Sequence, residues 1–142
     1  MTDCIFCAIV AGQSPASVVL DEPDVLAFMD IRPFTPGHLL VIPKRHASGL
    51  AQLDPDDGAK VFAAGQRIAT AMRASDLPIE GVNMFLADGA AAGQEVFHVH
   101  LHLMPRSAGD GFGIRADWRT PNRTVLDGTA ATIRTAVQTP RS

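Results

Sequence analysis

In the stretch His98-Val-His-Leu-His102, a histidine stands at every second position and an aliphatic residue fills each gap. Side chains alternate between the two faces of a β-strand, which rises about 3.3 Å per residue. The pattern therefore predicts a strand over 97–104 whose three imidazoles share one face at intervals of about 6.6 Å. Val99 and Leu101 would point to the other face, against the core. Three alternating imidazoles indicate shared protons, a bound metal or contact with an anion.

Four more strands are predicted before this stretch. Apolar runs at 17–20 and 25–29 flank Asp21-Glu-Pro-Asp24, which indicates a hairpin with its turn at the proline. Two further runs, 37–43 and 81–87, each begin at a glycine and are mostly apolar. Together with the histidine strand, they predict a five-stranded antiparallel sheet.

One long helix is predicted between the third and fourth strands. Asp54 is a favoured N-cap, and Pro55 is tolerated in the first helical turn. An apolar face follows at steps of three and four residues: Val61, Gly65, Ile68 and Met72. One or two helical turns are predicted over 4–10, and another helix over about 126–137. The fold class is therefore α+β, an antiparallel sheet with one long helix.

Composition excludes several classes of protein. The chain has 142 residues, of which 46% are hydrophobic and 19% charged, so it can bury a core and is not a disordered protein. Its net charge of −3 argues against a broad basic surface for nucleic acid. We find neither an apolar run of about 20 residues nor a secretory signal, and two cysteines are too few for a disulfide framework. We therefore expect a cytoplasmic protein that binds neither nucleic acid nor membrane.

Cys4 and Cys7 form a C-x-x-C pair with three open roles. A redox pair normally follows a strand and opens a helix, but only three residues precede Cys4. The two thiols could equally be buried as apolar groups. The third role is half of a tetrahedral zinc site, for which His46 and His98 are the candidate imidazoles. Two thiolates would balance the charge of the metal, so such a site can be buried.

The loop Asp88-Gly-Ala-Ala-Ala-Gly-Gln94 directly precedes the histidine stretch. Main-chain N–H groups exposed in such a loop, together with the Gln94 amide, can hold phosphate oxygens. The composition is unspecific by itself, because any polar loop with two glycines shares it.

In combination, these residues resemble the histidine triad (HIT) family of nucleotide hydrolases and transferases, and most of all its bacterial zinc-containing members. The segments that carry the resemblance are Cys4-Ile-Phe-Cys7, Phe28-Met-Asp-Ile31, Thr35-Pro-Gly-His-Leu-Leu-Val-Ile-Pro-Lys-Arg-His46, Gly93-Gln94 and His98-Val-His-Leu-His-Leu-Met-Pro-Arg106. The resemblance implies a homodimer in which both sheets join into one. It also implies a catalytic domain over 1–106 and a C-terminal extension over 107–142, packed on the same domain or on the dimer partner.

The resemblance further implies a mechanism. The central histidine, His100, would attack the α-phosphorus of a nucleoside 5′-monophosphate derivative, and water would hydrolyse the nucleotidyl-histidine intermediate. A neutral imidazole is a competent nucleophile near pH 7. His38 would buttress the triad through a hydrogen bond, and His102 would contact the phosphate or a leaving-group oxygen. Gln94 and nearby loop amides would stabilise the developing charge.

The family pattern also assigns the nucleotide contacts. Asp30 matches the residue that accepts the ribose hydroxyls. The base pocket would comprise Phe6, Phe28 and Ile31, for which plain core packing is the alternative. The remaining nucleotide contacts would come from Gly93, Gln94 and His102.

In zinc-containing relatives the first triad histidine is a metal ligand. By this resemblance His98 would bind zinc with Cys4, Cys7 and His46, and the metal would be structural. Two positions depart from the family pattern: Ala87 replaces an asparagine of many relatives, and Glu95 replaces a serine or threonine. The glutamate would disfavour an anionic leaving group.

The function predicted is that of a nucleotide hydrolase similar to an adenosine 5′-monophosphoramidase, acting on a purine nucleotide or nucleotide conjugate. His102 favours hydrolysis over transfer, because the transferase branch of the family carries glutamine there. Cleavage of dinucleoside polyphosphates by the same nucleophile is one alternative. Others are a nucleotide-binding module with little turnover and a scaffold held by zinc.

Overall fold

A five-stranded antiparallel sheet organises the part of the chain that the computed structural model describes, residues 3–139. Its strands are β1 (Val18–Asp21), β2 (Val25–Met29), β3 (Leu39–Pro43), β4 (Gly81–Phe85) and β5 (Leu101–Arg106). Within the sheet they run in the order β1-β2-β3-β5-β4, so the last strand in the chain lies beside β3. The predicted α+β class and antiparallel sheet are confirmed.

The helices described are α1 (Ile5–Val10), α2 (Pro55–Arg73) and α3 (Arg123–Gln138), with a 3₁₀ turn over Ala90–Ala92. Helix α2 begins as predicted, because the Asp54 carboxylate accepts a hydrogen bond from the main-chain N–H of Asp56. Helix α3 begins three residues before the expected position, because Asn122 caps it by accepting from the N–H of Val125. None of the described helices is both long and apolar enough to cross a membrane.

Alternation along β2 and β3 gives the sheet two apolar faces. One face packs against α2 and forms the larger core. Its buried residues are Val25, Ala27, Leu39, Val41, Leu101 and Leu103 from the sheet and Val61, Ala64, Ile68 and Met72 from the helix. The opposite face packs against α1 through Phe6, Leu26, Phe28, Leu40 and Ile42. His102 lies between Leu101 and Leu103, so its side chain emerges on the α1 face.

Helix α2 lies close to the sheet at Gly65. A Cβ atom there would stand 2.8 Å from the Met84 Cε atom and 3.0 Å from a Leu101 methyl carbon. A larger residue at position 65 would therefore force the Met84 and Leu101 side chains to shift. This explains a small residue in the middle of an otherwise bulky helical face.

The predicted histidine strand is shorter than expected. Strand β5 begins at Leu101, so only His102 of the three alternating histidines lies in it. Pairing with β3 runs from Leu39↔Leu103 to Val41↔Leu101 and stops before Pro43. Proline has no N–H to continue the ladder, and its carbonyl is occupied by the His98 ring. The preceding segment is held instead by the main-chain hydrogen bond from Val99 to Ala47, at 2.8 Å.

The chain divides into two units, one up to Phe112 and the other from Gly113 onward. The first unit includes 107–112, six residues beyond the expected boundary at residue 106. The Arg106 guanidinium accounts for this, because it donates hydrogen bonds to the Asp110 carboxylate and to the Phe112 carbonyl. Packing of the C-terminal extension on the catalytic domain or on a dimer partner stays a prediction.

Candidate active site and metal site

The buried His98 ring lies between β3 and a cluster of potential metal ligands. Its Nε2 is 2.7 Å from the carbonyl oxygen of Pro43. A carbonyl can only accept, so Nε2 carries the proton and the lone pair is on Nδ1. That Nδ1 faces the Sγ atoms of Cys4 and Cys7 at 3.4 and 3.5 Å and His46 Nδ1 at 3.2 Å. The predicted set of four metal ligands is therefore brought together.

The donor atoms of this cluster are spaced as a tetrahedral zinc ion requires. Zinc bonds of about 2.3 Å to sulfur and about 2.0 Å to nitrogen place nitrogen pairs about 3.3 Å apart and sulfur–nitrogen pairs about 3.5 Å apart. The structure has 3.2 Å between the two imidazole nitrogens and 3.3 Å between Cys7 Sγ and His46 Nδ1. All four ligand atoms lie within 4.8 Å of one another. Donor type, tautomer and spacing therefore fit a metal ion.

His100 presents the opposite tautomer. Its Nδ1 is 2.7 Å from the carbonyl oxygen of His98, so Nδ1 donates and Nε2 keeps the lone pair. The ring packs edge-on against Phe6, with 5.2 Å between centroids, and the residue is 7% exposed. His100 is thus held by one nitrogen and has an unprotonated nitrogen on the other side of the ring.

His38 and His102 form a directed hydrogen-bond chain beside His100. The main-chain N–H of Phe34 donates to His38 Nδ1 at 3.1 Å, which places the proton of the neutral ring on Nε2. His38 Nε2 is 2.9 Å from His102 Nδ1, which must then accept. The proton of a neutral His102 therefore resides on Nε2, where it can be donated to a ligand. The His102 ring also contacts His100, at 4.8 Å between centroids.

Asp30 lies at the edge of this chain. One carboxylate oxygen accepts from the main-chain N–H of Arg32 at 2.8 Å, and the other is 3.6 Å from His38 Nε2. Asp30, His38 and His102 also bring potential ligand atoms within 4.8 Å of one another. However, His38 Nε2 carries a proton, so this group lacks the lone pair that a metal would need there. We interpret it as a hydrogen-bond chain, unlike the cysteine–histidine cluster.

Burial keeps the imidazoles of His38 and His102 neutral near pH 7. Burial, the largest cause, and the adjacent His100 and His38 rings together lower the pKa of His102 to about 4, against the opposing effect of the Asp30 carboxylate. The pKa of His38 is also lowered, chiefly by burial and against the opposing effect of the Asp30 carboxylate. Near pH 7 the chain from Phe34 to His102 is therefore uncharged, as the tautomer assignments require.

The Gln94 side chain, which the sequence led us to expect beside a bound phosphate, forms its hydrogen bonds with main-chain groups. Its Nε2 donates to the carbonyl oxygens of Ser48 and Val96, at 2.8 and 3.1 Å. Its Oε1 accepts from the N–H of Gly89 at 2.8 Å. The N–H groups of Gly93 and Gln94 are also used, closing the 3₁₀ turn onto Ala90 and Gly89. Gln94 therefore fixes the shape of its loop, because its amide forms hydrogen bonds with three main-chain groups at once.

The three predicted base-pocket residues have different surroundings. Phe6 and Phe28 are 7% and 3% exposed and pack against each other at 5.4 Å between ring centroids. Both rings are therefore part of the core on the α1 face of the sheet. Ile31 is 99% exposed and follows Asp30 directly. Its exposure leaves it available to a ligand.

Two contributions to the site are not visible in the sequence. The N–H of Phe34 orients His38, and the Phe34 ring stacks on His38 at 5.5 Å. The carbonyl of Pro43 sets the tautomer of His98. Both orienting hydrogen bonds come from the main chain, so no residue type in the sequence signals them.

The matching family model is the HIT domain, over residues 11–109. The chain belongs to the HIT family. An uncharacterized HIT-like protein of Mycobacterium tuberculosis is 48% identical over 111 residues, which cover 78% of this chain and 76% of that one. A crystal structure from Streptococcus mutans has a TM-score of 0.91 at 41% identity, covering 97% of this chain and 87% of the other.

A further HIT structure bears on the metal cluster. It is described as a zinc-bound histidine triad family protein from Mycobacterium smegmatis, with a TM-score of 0.76 and 44% identity. The match covers 94% of this chain and 97% of that one. HIT proteins are in general nucleotide hydrolases or transferases, and the present chain is a member of this family.

Proposed function

We propose that this HIT protein hydrolyses nucleoside 5′-monophosphate derivatives at the α-phosphorus, as an adenosine 5′-monophosphoramidase does. The observation that carries the proposal is the hydrogen bond from His100 Nδ1–H to the carbonyl of His98. It leaves the Nε2 lone pair as the nucleophile. In the first step, a bond forms between His100 Nε2 and phosphorus while the bond from phosphorus to the amine breaks.

The same hydrogen bond favours the transition state over the ground state. As Nε2 bonds to phosphorus, the imidazole gains positive charge, and its Nδ1–H becomes a stronger donor. A hydrogen bond from a charged donor is roughly twice as strong as a neutral one. Because the gain arises only as the reaction proceeds, it contributes to the rate. Water then attacks phosphorus, releasing the nucleoside monophosphate and restoring neutral His100.

His102 and His38 supply a donor to the departing group in this proposal. The His102 Nε2–H can donate to a phosphoryl oxygen or to the leaving group. Its Nδ1 is held by His38, which is itself oriented by the Phe34 N–H. Gln94 contributes by holding its loop, since its own polar atoms are engaged. The ribose hydroxyls would bind to Asp30, and the purine would lie against Ile31 with Phe6 and Phe28 beneath.

We also propose that zinc is the metal bound by Cys4, Cys7, His46 and His98. Bound zinc would act structurally, as a cross-link between α1, the segment after β3 and the segment before β5. The support is the donor set, the tautomer of His98 and the zinc-bound relative. Metal analysis of the purified protein tests this assignment; about one zinc per chain is expected.

The decisive experiment is mass spectrometry of the intact protein after brief mixing with adenosine 5′-phosphoramidates and dinucleoside polyphosphates. We expect a transient gain of one adenylyl group, mapped to His100, with phosphoramidates giving the faster turnover. Faster turnover of dinucleoside polyphosphates would favour the alternative hypothesis that these compounds are the substrates. Saturable nucleotide binding without any adduct would refute the proposed mechanism and indicate that the protein is a nucleotide-binding module with little turnover.

A further inference from the structure

Cys4 and Cys7 sit where small molecules can reach them. Both thiols are only half-buried, and neither forms a disulfide. A cavity of about 480 Å³ is lined by Cys4 and His46, together with Ile5 and Glu95. His46 is exposed, and so is 48% of Ile5. The metal cluster therefore has an open side, although its fourth member, His98, is completely buried.

The local backbone is suited to a bond between the two sulfurs. Cys4 is the N-cap of α1, and the N–H of Cys7 lies 3.4 Å from the Cys4 Sγ atom. The four ligand atoms, both sulfurs included, lie within 4.8 Å of one another. A disulfide needs an S–S distance of about 2.05 Å and Cα atoms about 5–6 Å apart, which residues three apart in a helical turn satisfy. Rotation of the two side chains is then sufficient.

His98 connects this cluster to the nucleophile. Its Nδ1 faces the thiols, and its own carbonyl oxygen accepts the hydrogen bond from His100 Nδ1 at 2.7 Å. A change in the contacts of the His98 ring with the two thiols would therefore affect the His98 carbonyl, which accepts the hydrogen bond that fixes the tautomer of His100. Among the described residues of the cluster, His98 is the one that contacts both sites.

We propose that the Cys4–Cys7 pair is a site of oxidation by hydroperoxides that controls the reactivity of His100. The inference rests on the proposed function for its effect on catalysis, but not for the oxidation itself. One thiol attacks the peroxide and becomes a sulfenic acid, releasing water or an alcohol. The second thiol displaces water from it to give the disulfide, so one hydroperoxide is reduced for two thiols oxidised. A disulfide lacks the thiolates that bind the metal, so the cluster loses its zinc.

The test uses the full-length, zinc-loaded protein treated with hydrogen peroxide. We expect a mass loss of two hydrogens per chain, a Cys4–Cys7 cross-link in peptide mapping, and release of one zinc per chain. Reductant with added zinc should reverse all three. Sulfinic acid formation without a disulfide, or a disulfide form that keeps its zinc, would overturn the proposal.

Coupling to the nucleophile is tested by single-turnover adenylylation and by ¹⁵N NMR of the histidine rings. We expect oxidation to slow adduct formation at His100 at least threefold and to change the His100 tautomer signals. The double variant Cys4→Ser/Cys7→Ser should form the adduct as slowly as the oxidised protein, and peroxide should not change its rate. An unchanged rate and spectrum in the zinc-free disulfide form would overturn the coupling. If no adduct forms in any state, the proposed function fails, while cross-linking and zinc release still judge the oxidation site.

Discussion

His100 differs from the neighbouring histidines in how its ring is held. Its single strong hydrogen bond, to the His98 carbonyl, leaves Nε2 unprotonated. The His98 ring has its proton on the other nitrogen because Pro43 accepts it. His98 and His100 are two residues apart, but they adopt opposite tautomers because different ring nitrogens donate to carbonyl groups.

Replacement of the nucleophile should separate chemistry from binding. For His100→Ala we expect turnover to fall more than about 10³-fold, while nucleotide affinity changes less than about tenfold, because the lost interaction is formed in the transition state. Steady-state kinetics and calorimetric titration with a non-hydrolysable nucleotide measure the two quantities. Turnover close to wild type would contradict covalent catalysis at His100.

The depressed pKa of His102 has a consequence for stability. The pKa is about 4 in the folded protein, against a usual value of 6.5, so the unfolded chain binds more protons here between these values. The free energy of unfolding should therefore decrease as the pH falls from 6.5 to 4. The groups facing the ring are His38, His100 and Asp30.

Urea unfolding of the wild type and of His102→Gln across this pH range measures the effect. The variant has no titrating imidazole at this position, so its stability should depend less steeply on pH. Equal slopes for both proteins would show that His102 titrates normally in the folded state.

At the scale of elements, α2 and α1 are attached to the sheet by different means. Helix α2 has 19 residues and presents an apolar face to the larger core. Helix α1 has six residues, of which Phe6 is buried; Cys4 is its N-cap and Cys7 lies in its first turn. Apolar packing is sufficient for α2, whereas α1 would gain from the proposed zinc ion, which would hold its start.

The close contact of α2 with the sheet predicts a strong effect at Gly65. For Gly65→Val we expect the free energy of unfolding to fall by about 1–3 kcal/mol, since the new side chain overlaps Met84 and Leu101. Gly128→Val is the matched control, because Gly128 lies in α3 with nothing within 4 Å of an added Cβ. Chemical denaturation followed by circular dichroism makes the measurement. Equal stability of the two variants would contradict the tight helix–sheet contact.

Metal loss should loosen α1. Cys4→Ser is expected to purify without zinc and to unfold at a lower temperature. A ligand held at 100–1,000 times its dissociation constant stabilises by about 3–4 kcal/mol. Ala8→Ser places the same side chain elsewhere in α1 and should keep the metal. Full zinc content in Cys4→Ser, measured by atomic emission, would remove Cys4 from the ligand set.

At the scale of the whole molecule, the sheet has two edges, β1 and β4. Strand β4 carries Phe85, which is 46% exposed and contacts the His102 ring at 5.7 Å between centroids. An edge strand with an exposed aromatic residue is suited to pairing with a second copy. We therefore expect the homodimer implied by family membership to form through β4.

Light scattering of edge variants tests this expectation. The wild type should have about twice the mass of the chain, and Phe85→Lys should reduce it to that of a monomer. Val18→Lys, on the exposed part of β1, is the control and should remain a dimer. Dissociation by Val18→Lys instead would place the interface at the other edge.

Local sequence determined the elements and the family of this protein. The α2 start at Asp54-Pro55, the apolar runs of β2 and β3, and the alternating histidines are all visible within a few residues. This is possible because capping and alternation depend on near neighbours.

Only the tertiary structure decided which nitrogen of each imidazole is free. The Pro43 carbonyl that sets the tautomer of His98 lies 55 residues away, and the Cys4 thiol that faces its other nitrogen lies 94 residues away. The pairing of β3 with β5 likewise ends at Val41↔Leu101, so His98 and His100 lie outside β5, the former facing the cysteines and the latter beside His102. The tautomer of a neutral imidazole is set by its hydrogen-bond partners, and for His98 these partners come from distant parts of the chain.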